Sequence, residues 1–412
     1  MILAAALLLH NITVIDGTGA PPAPHRDVLI RNERIVRIAK HVDAHDARVL
    51  DCTGKFLIPG LIDMHAHLLA HPWDEKGNLR PRWKREEVFE LLQSLLRYGV
   101  TTVRDPGSET EAAVKLRDMH PPGPRIFTAG RIINASDFDP EPFAPVHNAD
   151  EVRREIDWQA RAGVDVIKIY ASMPPDLVKV TIEEAHKHHL PIIGHLQRTT
   201  WTEAAKLGID GVEHPAPWSP DVHDLFGRVT WLEHLDDEKV DEMIRALVAH
   251  HVVVDPTLIA IATKFDPSWK KNPDNALAPK AYANGWPSGD FVRDWTDEQH
   301  AEAVRAWPKL LALTKKMYDA GVTMTVGTDT PTPWIVPGVS VHDEMRLLRD
   351  AGIPPLAIIK MATFNAAKAL HREREFGSVR EGLIADLVVL DRDPLADIAN
   401  TRSIAMVIQG GR

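Results

Sequence analysis

Hydrophobic and polar positions alternate through the first part of the chain and again near its end. This period-two pattern is typical of half-buried strands, and Gly, Asn and Asp residues that favour turns interrupt it. It is found in "LLLHNITVIDG", "RDVLIRNERIVRIAK" and "ARVLDCTGKFLIPG", and it returns in "GLIADLVVLDRDP" and "IAMVIQGGR". We therefore predict that residues 1–59 and 366–412 together build one small β-sandwich domain.

The pattern changes between residues 60 and 365, where short apolar runs alternate with amphipathic segments of helical period. The predicted strands are "LIDMHAH", "VTTVRDP", "RIFTAG", "VDVIKIY", "LPIIGHL", "DGVEHP", "HVVVDPT" and "VTMTVGTD". Several of the helical segments, such as "REEVFELLQSLLRYG", end in Gly, as a helix C-terminus should. Eight strands, each followed by a helix, predict an α/β fold with a (β/α)8 TIM barrel.

One segment of the barrel region, residues 261–308, has a poor period and is rich in Trp, Pro, Lys and Asp. We interpret it as an elaborated loop inserted over the barrel mouth. A surface insertion without a role is the alternative.

Composition narrows the class of partner. The 412 residues suffice for one large barrel and a smaller domain, and the net charge of −10 argues against a nucleic-acid partner, which would require a basic surface. No apolar run has the length of a membrane span. The single cysteine, Cys52, fits a reducing compartment. We expect a cytoplasmic protein, and a secreted or periplasmic form with a removed signal peptide stays open.

Candidate chemistry lies at the carboxyl ends of the predicted strands, where barrel enzymes place their active sites. Residues two apart on a strand face the same side, so His65 and His67 project together into the barrel. The other candidates at strand ends are Lys168, Tyr170, His195, His214 and Asp329. Imidazole nitrogens and carboxylate oxygens suit a divalent ion such as Zn²⁺. Two histidines at this spacing are a weak signal alone, and the shared position at strand ends strengthens it.

Lys168 is unusual because it lies between Ile167 and Ile169 in a strand that should be buried. A lysine there is costly unless it is paired or chemically changed. Three interpretations remain open: an ion pair with a buried carboxylate, an amine with a lowered pKa, or a carbamate formed with CO2 that bridges two metal ions.

Taken together, "IPGLIDMHAHL", "GVTTVRD", "GVDVIKIY", "IIGHL", "GVEHP", "TVGTDTP", "ATFNAAKALH" and "GSVREGLIADLVVLDRDPL" resemble the amidohydrolase superfamily. The resemblance runs from about residue 8 to the C-terminus and is to the imidazolonepropionase-like branch, which includes the Xaa-Pro and related dipeptidases. It implies that His65, His67 and Asp329 hold one metal ion, that His195 and His214 hold another, and that a carboxylated Lys168 bridges them. The two ions are expected to be Zn²⁺.

The mechanism that follows is amide or peptide hydrolysis by a metal-bridging hydroxide. Asp329 is expected to carry the proton from the nucleophile to the leaving amine, and Tyr170, or alternatively His147, to stabilise the oxyanion. Tyr170 is also a candidate for contacting the substrate. Arg198, three residues after His195, either binds a substrate carboxylate or forms a surface salt bridge.

The expected substrate is a small molecule: a dipeptide, an N-acyl amino acid or a bulky xenobiotic amide. The alternatives are a mononuclear hydrolase or deaminase of a cyclic amide or amidine, a carbamate or lactone hydrolase, and a non-enzymatic protein on an enzyme scaffold. A homo-oligomer is compatible with the sequence.

Overall fold

The computed structural model describes residues 6–69, 84–137, 142–214 and 225–411. Residues 1–5, which the sequence pattern joins to the first strand, lie outside this description. The strands are β1 (Ala6–Val14), β2 (Ala23–Arg31), β3 (Arg34–Ala39), β4 (Ala47–Asp51), β5 (Phe56–Pro59), β6 (Leu61–Asp63), β7 (Val100–Asp105), β8 (Arg125–Thr128), β9 (Ile132–Asn134), β10 (Phe143–Pro145), β11 (Ile167–Ile169), β12 (Ile192–Gly194), β13 (Gly211–Glu213), β14 (Val253–Asp255), β15 (Leu387–Leu390) and β16 (Ile404–Ile408).

Helices follow most of the parallel strands. They are α1 (Arg85–Arg97), α2 (Thr110–Asp118), α3 (Ala149–Ala162), α4 (Pro175–Lys187), α5 (Trp201–Leu207), α6 (Leu225–Glu233), α7 (Asp237–Ala249), α8 (Leu258–Phe265), α9 (Lys280–Ala283), α10 (Trp286–Gly289), α11 (Asp297–Asp319), α12 (Val339–Asp350), α13 (Pro355–Lys360) and α14 (Ala366–Ala369). Short 3-10 turns span Pro267–Lys271, Pro273–Leu277 and Ile398–Arg402, and a π-helical turn spans Met361–Asn365. Within the described ranges, none of these helices is both long and apolar enough for a membrane crossing.

The two ends of the chain share one seven-stranded sheet, with the order β16-β15-β5-β1-β2-β3 and β4 paired to β1. β5 lies antiparallel to β15, so that Phe56 pairs with Leu390 and Pro59 with Leu387. Alternate apolar residues of these strands form a separate small core that includes Leu9 and Val28. The joining of both chain ends agrees with the expected composite unit, whereas a sandwich of two facing sheets stays a prediction.

The parallel strands form the larger layer. One sheet has the order β6-β7-β8, and the other has the order β10-β9-β11-β12-β13-β14. The predicted last strand, "VTMTVGTD", lies between β14 and β6 but forms only isolated β-bridges and not a continuous strand. There the Thr325 amide donates to the Val254 carbonyl (3.0 Å), and the Met64 amide donates to the Val326 carbonyl (2.9 Å). The architecture is therefore α/β and TIM-barrel-like, with helices packed outside parallel strands.

The helices form where the amphipathic pattern predicts them. In α1, Val88, Leu91, Leu92 and Leu95 are spaced three or four residues apart and all are buried against the strands. Helix α3 ends at Gly163, which has a φ of 90°. That left-handed conformation is one that glycine adopts without steric cost, so the glycine ends the helix and starts the turn to β11.

The tryptophan-rich segment 261–308 is helical rather than a loop, which corrects the sequence prediction. It contains the end of α8, two 3-10 turns, two one-turn helices and the first part of the 23-residue helix α11. Trp286 is buried, with its ring 5.5 Å from that of Trp334. Pro308 lies inside α11, and a proline in that position hides a helical pattern because it is read as a helix breaker.

Candidate metal centre

Two histidines and an aspartate converge just beyond the ends of neighbouring strands. His65 Nε2 lies 3.3 Å from His67 Nε2, and Asp329 Oδ1 lies 3.4 Å and 3.6 Å from these two atoms. His65 is fully buried two residues after the end of β6, where its backbone amide donates to the buried Asp63 (3.1 Å). Three donor atoms at this separation can contact one divalent ion, so the residues fit a metal site.

A second group of rings lies beside this cluster. The ring centroid of His214 is 4.9 Å from that of His65 and 4.5 Å from that of His195. His214 Nδ1 is hydrogen-bonded to Thr257 Oγ1 (2.8 Å), which leaves its other ring nitrogen for a ligand. Burial holds the pKa of His65, His195 and His214 well below 6.5. The three imidazoles are therefore neutral at pH 7, the form that binds a metal.

Lys168 lies beneath these histidines with its side chain only 2 % exposed, and its ammonium is ion-paired with Glu213. Burial lowers the pKa of Lys168 well below 10.5. An ion pair with a buried carboxylate was one of the three interpretations open from the sequence. It is the arrangement that the structure has for the unmodified lysine. Sequence reasoning missed Glu213, although an acidic residue at the last position of a buried strand, just before His214, is itself a signal.

Arg104 connects the lysine to a further carboxylate. Its guanidinium donates to Glu213 Oε1 (2.7 Å) and to the Met64 carbonyl (2.7 Å), and it lies 3.5 Å from Asp255 Oδ2. Burial raises the pKa of Asp255 to about 6, against the opposing charge of Arg104. These partners of Arg104 could not be predicted, because the sequence does not show which strands face each other across the interior.

Three residues at the site have left-handed backbone conformations that non-glycine residues rarely adopt. They are His214 (φ 71°), Asp329 (φ 65°) and Thr257 (φ 44°). The Asp329 amide donates to the His65 carbonyl (2.8 Å) and the His214 amide to the Asp255 carbonyl (2.9 Å). Such conformations cluster at functional sites, where surrounding contacts hold them in place.

Two cationic side chains border the site from helices. Arg228, on α6, is buried, and this burial lowers its pKa to about 9 although the phenol of Tyr170 and the carboxylate of Asp329 act to raise it. Lys264, on α8, has a pKa lowered by desolvation to about 8, and Asp329 is its strongest opposing charge. Neither was a candidate from the sequence, because each lies within a helix and not at a strand end.

Of the other predicted site residues, Tyr170 lies at the metal-ligating cluster and His147 lies at the surface. The Tyr170 ring lies 4.4 Å from that of His195 and 5.1 Å from that of Phe143, which places it at the site. His147 is 49 % exposed, and its ring is paired with Asp137 (2.9 Å). No contact among the described residues joins His147 to the metal-ligating cluster.

Arg198 is exposed. Its backbone amide donates to the Ala171 carbonyl (2.9 Å). Within the described ranges, no ion pair of its guanidinium is found. The salt bridge that the sequence left as an alternative is therefore not seen there.

The described chain is an α/β protein whose parallel strands lead into a set of His, Lys and Asp side chains at one site. The chain belongs to the amidohydrolase family, whose sequence profile matches residues 56–412. It is 25% identical over 417 residues to the ochratoxinase of Aspergillus niger, covering 86% of this chain and 75% of that protein. It is 23% identical over 437 residues to the imidazolonepropionase of Chromobacterium violaceum, covering 93% of this chain and 89% of that protein.

Among solved structures, the chain is similar to a Xaa-Pro dipeptidase with methionine bound in its active site. The TM-score is 0.76 at 21% identity, and the match covers 99% of each chain. At this identity the likeness shows the fold. The family prediction is confirmed, and with it the class of enzyme, one that hydrolyses C–N bonds.

Proposed function

We propose that the protein is a binuclear metal-dependent hydrolase that cleaves an amide or peptide bond. The observation that carries this proposal is the convergence of His65 Nε2, His67 Nε2 and Asp329 Oδ1 within 3.6 Å of one another. Membership of the amidohydrolase family supports it. The proposed fold is a closed eight-stranded barrel, supported by the hydrogen bonds of segment 323–330 to both β14 and β6.

The ligand sets divide between the two groups of side chains. His65, His67 and Asp329 would hold one ion, and His195 and His214 the other. Lys168, as a carbamate, would bridge them. The nitrogen and oxygen donors favour Zn²⁺. When bound, two such ions supply a water that is deprotonated near pH 7 and polarise the scissile carbonyl.

The residues of the chain then orient the substrate and transfer protons. Asp329 accepts a proton from the attacking water and delivers it to the leaving nitrogen, since an amine leaves readily only when protonated. The Tyr170 hydroxyl donates to the developing oxyanion. Its ring lies between those of His195 and Phe143, and these contacts hold the side chain beside the proposed metal ligands. We assign no role to His147, which is paired with Asp137 at the surface.

Arg228 and Lys264 suggest the substrate class. The charge of Asp329 raises the pKa of both cations against the effect of burial, which supports placing them near the reacting bond. A substrate carboxylate would be attracted to them, and Arg228 can bind it in bidentate fashion. A dipeptide, an N-acyl amino acid or a bulky amide with a free carboxylate fits this arrangement. The similarity of the chain to an ochratoxinase and to a Xaa-Pro dipeptidase is compatible with such substrates. The carboxylate contact predicted for the exposed Arg198 stays a prediction beside this one.

A second candidate is a mononuclear hydrolase or deaminase of a cyclic amide or amidine. The ion pair between Lys168 and Glu213 favours it, because an amine held in that way is not a bridging ligand. Metal content separates the two candidates.

The test is zinc content by plasma mass spectrometry, followed by a hydrolysis screen with and without chelator. The screen covers N-acyl amino acids, Xaa-Pro dipeptides, lactams and carbamates, each in the acid form and as a methyl ester. We expect about two zinc per chain and chelator-sensitive cleavage of the acid forms. One zinc per chain with lactam cleavage supports the second candidate, and no hydrolysis after zinc is restored contradicts both.

A further inference from the structure

A cavity of about 730 Å³ lies on the inner side of the parallel strands, beneath the metal-ligating residues. Residues at alternate positions of three neighbouring strands line it: Gly211 and Glu213, Val253 and Asp255, and Thr323 and Thr325. Alternate positions face one side of a strand, so the cavity occupies the interior that these strands enclose. Barrel interiors are normally packed with side chains, and here Gly211 supplies none.

The cavity connects solvent with the partner of Lys168. Its outer end is bordered by exposed residues at the face opposite the metal site, among them His251 and Arg372. Its inner end reaches Glu213, which is 1 % exposed and ion-paired with Lys168. Val166 lines the cavity and precedes Lys168 by two residues, so Lys168 occupies the next inward position along the same strand face.

The opposite approach to Lys168 is obstructed. The rings of His65, His195 and His214 pack against one another with centroids 4.5 Å and 4.9 Å apart. Lys168 itself is almost completely buried. A small molecule that reacts with the lysine amine therefore reaches it more directly from the cavity than from the substrate side.

The reaction selects a neutral molecule, because an amine forms a carbamate with CO2 and not with the bicarbonate anion. At the inner end, the carboxylates of Glu213 and Asp255 are offset by the guanidinium of Arg104, which also lines the cavity. Carbon dioxide is small, uncharged and compatible with the apolar wall that Val166 and Val253 provide.

We propose that this cavity is the route by which CO2 reaches Lys168 and by which the released protons leave. The inference rests on the carboxylated lysine of the proposed function. The Lys168 ammonium first transfers a proton to Glu213. The Nζ lone pair then attacks the carbon of CO2, an N–C bond forms, and the electrons of one C=O bond move to oxygen. Loss of a second proton from nitrogen to solvent in the cavity gives the carbamate, and Glu213 passes the first proton to the same solvent, so two protons are released in all.

The test plugs the cavity reversibly in the folded protein. Thr323 is half-buried on the cavity wall, and the chain has a single cysteine, Cys52, which is buried. A Thr323→Cys variant can therefore be labelled at position 323 with benzyl methanethiosulfonate and restored with reductant. Wild-type protein treated with the same reagent is the matched control.

The readout is the rate of carbamate formation. Chelated, decarboxylated protein is mixed with ¹³C-bicarbonate and carbonic anhydrase, zinc is added to trap the product, and the ¹³C-carbamate resonance is followed with time. We expect the label at position 323 to slow carbamate formation at least tenfold and reductant to restore the rate. The treated wild-type protein should react at its usual rate.

The outcomes separate the route from the proposed function. Wild-type protein that forms carbamate while labelled Thr323→Cys forms it equally fast contradicts the route and leaves the bridging role intact. Wild-type protein that never forms carbamate contradicts both. If labelling unfolds the variant, as circular dichroism would show, Val253→Phe is the second plug, with Val248→Phe on the exposed side of α7 as its control. Equal rates for these two variants would overturn the route.

Discussion

Replacing Arg104 by methionine tests the buried charge network beneath the metal site. The guanidinium is the cation that contacts both Glu213 (2.7 Å) and Asp255 (3.5 Å), and it also donates to the Met64 carbonyl. Methionine has a similar length and no charge, so the Arg104→Met variant removes these contacts while filling much of the same volume.

The expected loss follows from the burial of all three groups. Removing one partner of a buried ion pair costs about 3–5 kcal/mol, because the remaining charge is left without compensation. The Met64 carbonyl that loses its donor adds about 1 kcal/mol. Since Lys168 stays beside Glu213, we expect the lower end, about 3–4 kcal/mol in the free energy of unfolding.

The dependence of this loss on pH distinguishes charge from packing. The pKa of Asp255 is raised from 3.8 to about 6, so the folded state favours its protonated form, and stability falls as pH rises from the lower value to the higher one and then levels off. Without Arg104, which lowers this pKa, the fall continues to higher pH. The gap between variant and wild type should therefore be smaller at pH 5 than at pH 8, by about 1 kcal/mol or more.

The assay is urea unfolding of the chelated proteins at both pH values, followed by tryptophan fluorescence. Arg349→Met is the control, because Arg349 is paired with Asp350 and Asp397 at the surface. Surface pairs of this kind contribute about 0–1 kcal/mol. A loss for Arg104→Met no larger than that of the control, or a gap that does not change with pH, would refute this account of the network.

Three further predictions concern the site. Asp329→Asn should lower kcat about a thousandfold or more with an unchanged circular dichroism spectrum, and activity near the wild-type level would contradict its role in proton transfer. Gly327→Ala should lower the free energy of unfolding by about 1–3 kcal/mol and reduce the zinc content, because the added Cβ would lie 2.4 Å from Asp255 Oδ2 and 2.8 Å from His65 Cβ. Unchanged zinc content would show that the site adapts to the methyl group. Arg228→Gln should raise KM for carboxylate substrates about 10- to 100-fold but leave the KM of their methyl esters nearly unchanged, and equal effects on both would exclude a carboxylate contact.

The sequence is sufficient to predict those site residues whose position follows from a local pattern. His65 and His67 are two apart at the end of a strand, and His195 and His214 directly follow the strands β12 and β13. Because parallel strands bring their carboxyl ends to one side, strand position alone is enough to place these residues at one site.

The charge network depends on contacts that no local pattern contains. Arg104 and Glu213 lie on strands that are far apart in the chain and meet only across the interior. Arg228 and Lys264 lie on helices, where the apolar period sets which face is buried but does not show which polar residue reaches the site. The long helix at the end of segment 261–308 was missed for a different reason, because Pro308 lies in the middle of α11 and reads as a helix breaker.

The shared sheet of the two chain ends has a consequence for how the protein folds during synthesis. Strand β5 pairs with β15, and Phe56 lies opposite Leu390 in that pair. The edge of β5 that faces β15 is therefore covered only after Leu390 has been synthesised. Until the ribosome has made that late segment, β5 presents an unpaired edge that can join another chain. Contacts of such large sequence separation also slow folding. The nascent chain therefore carries an exposed strand edge through almost the whole of its synthesis, and this period is when aggregation would begin.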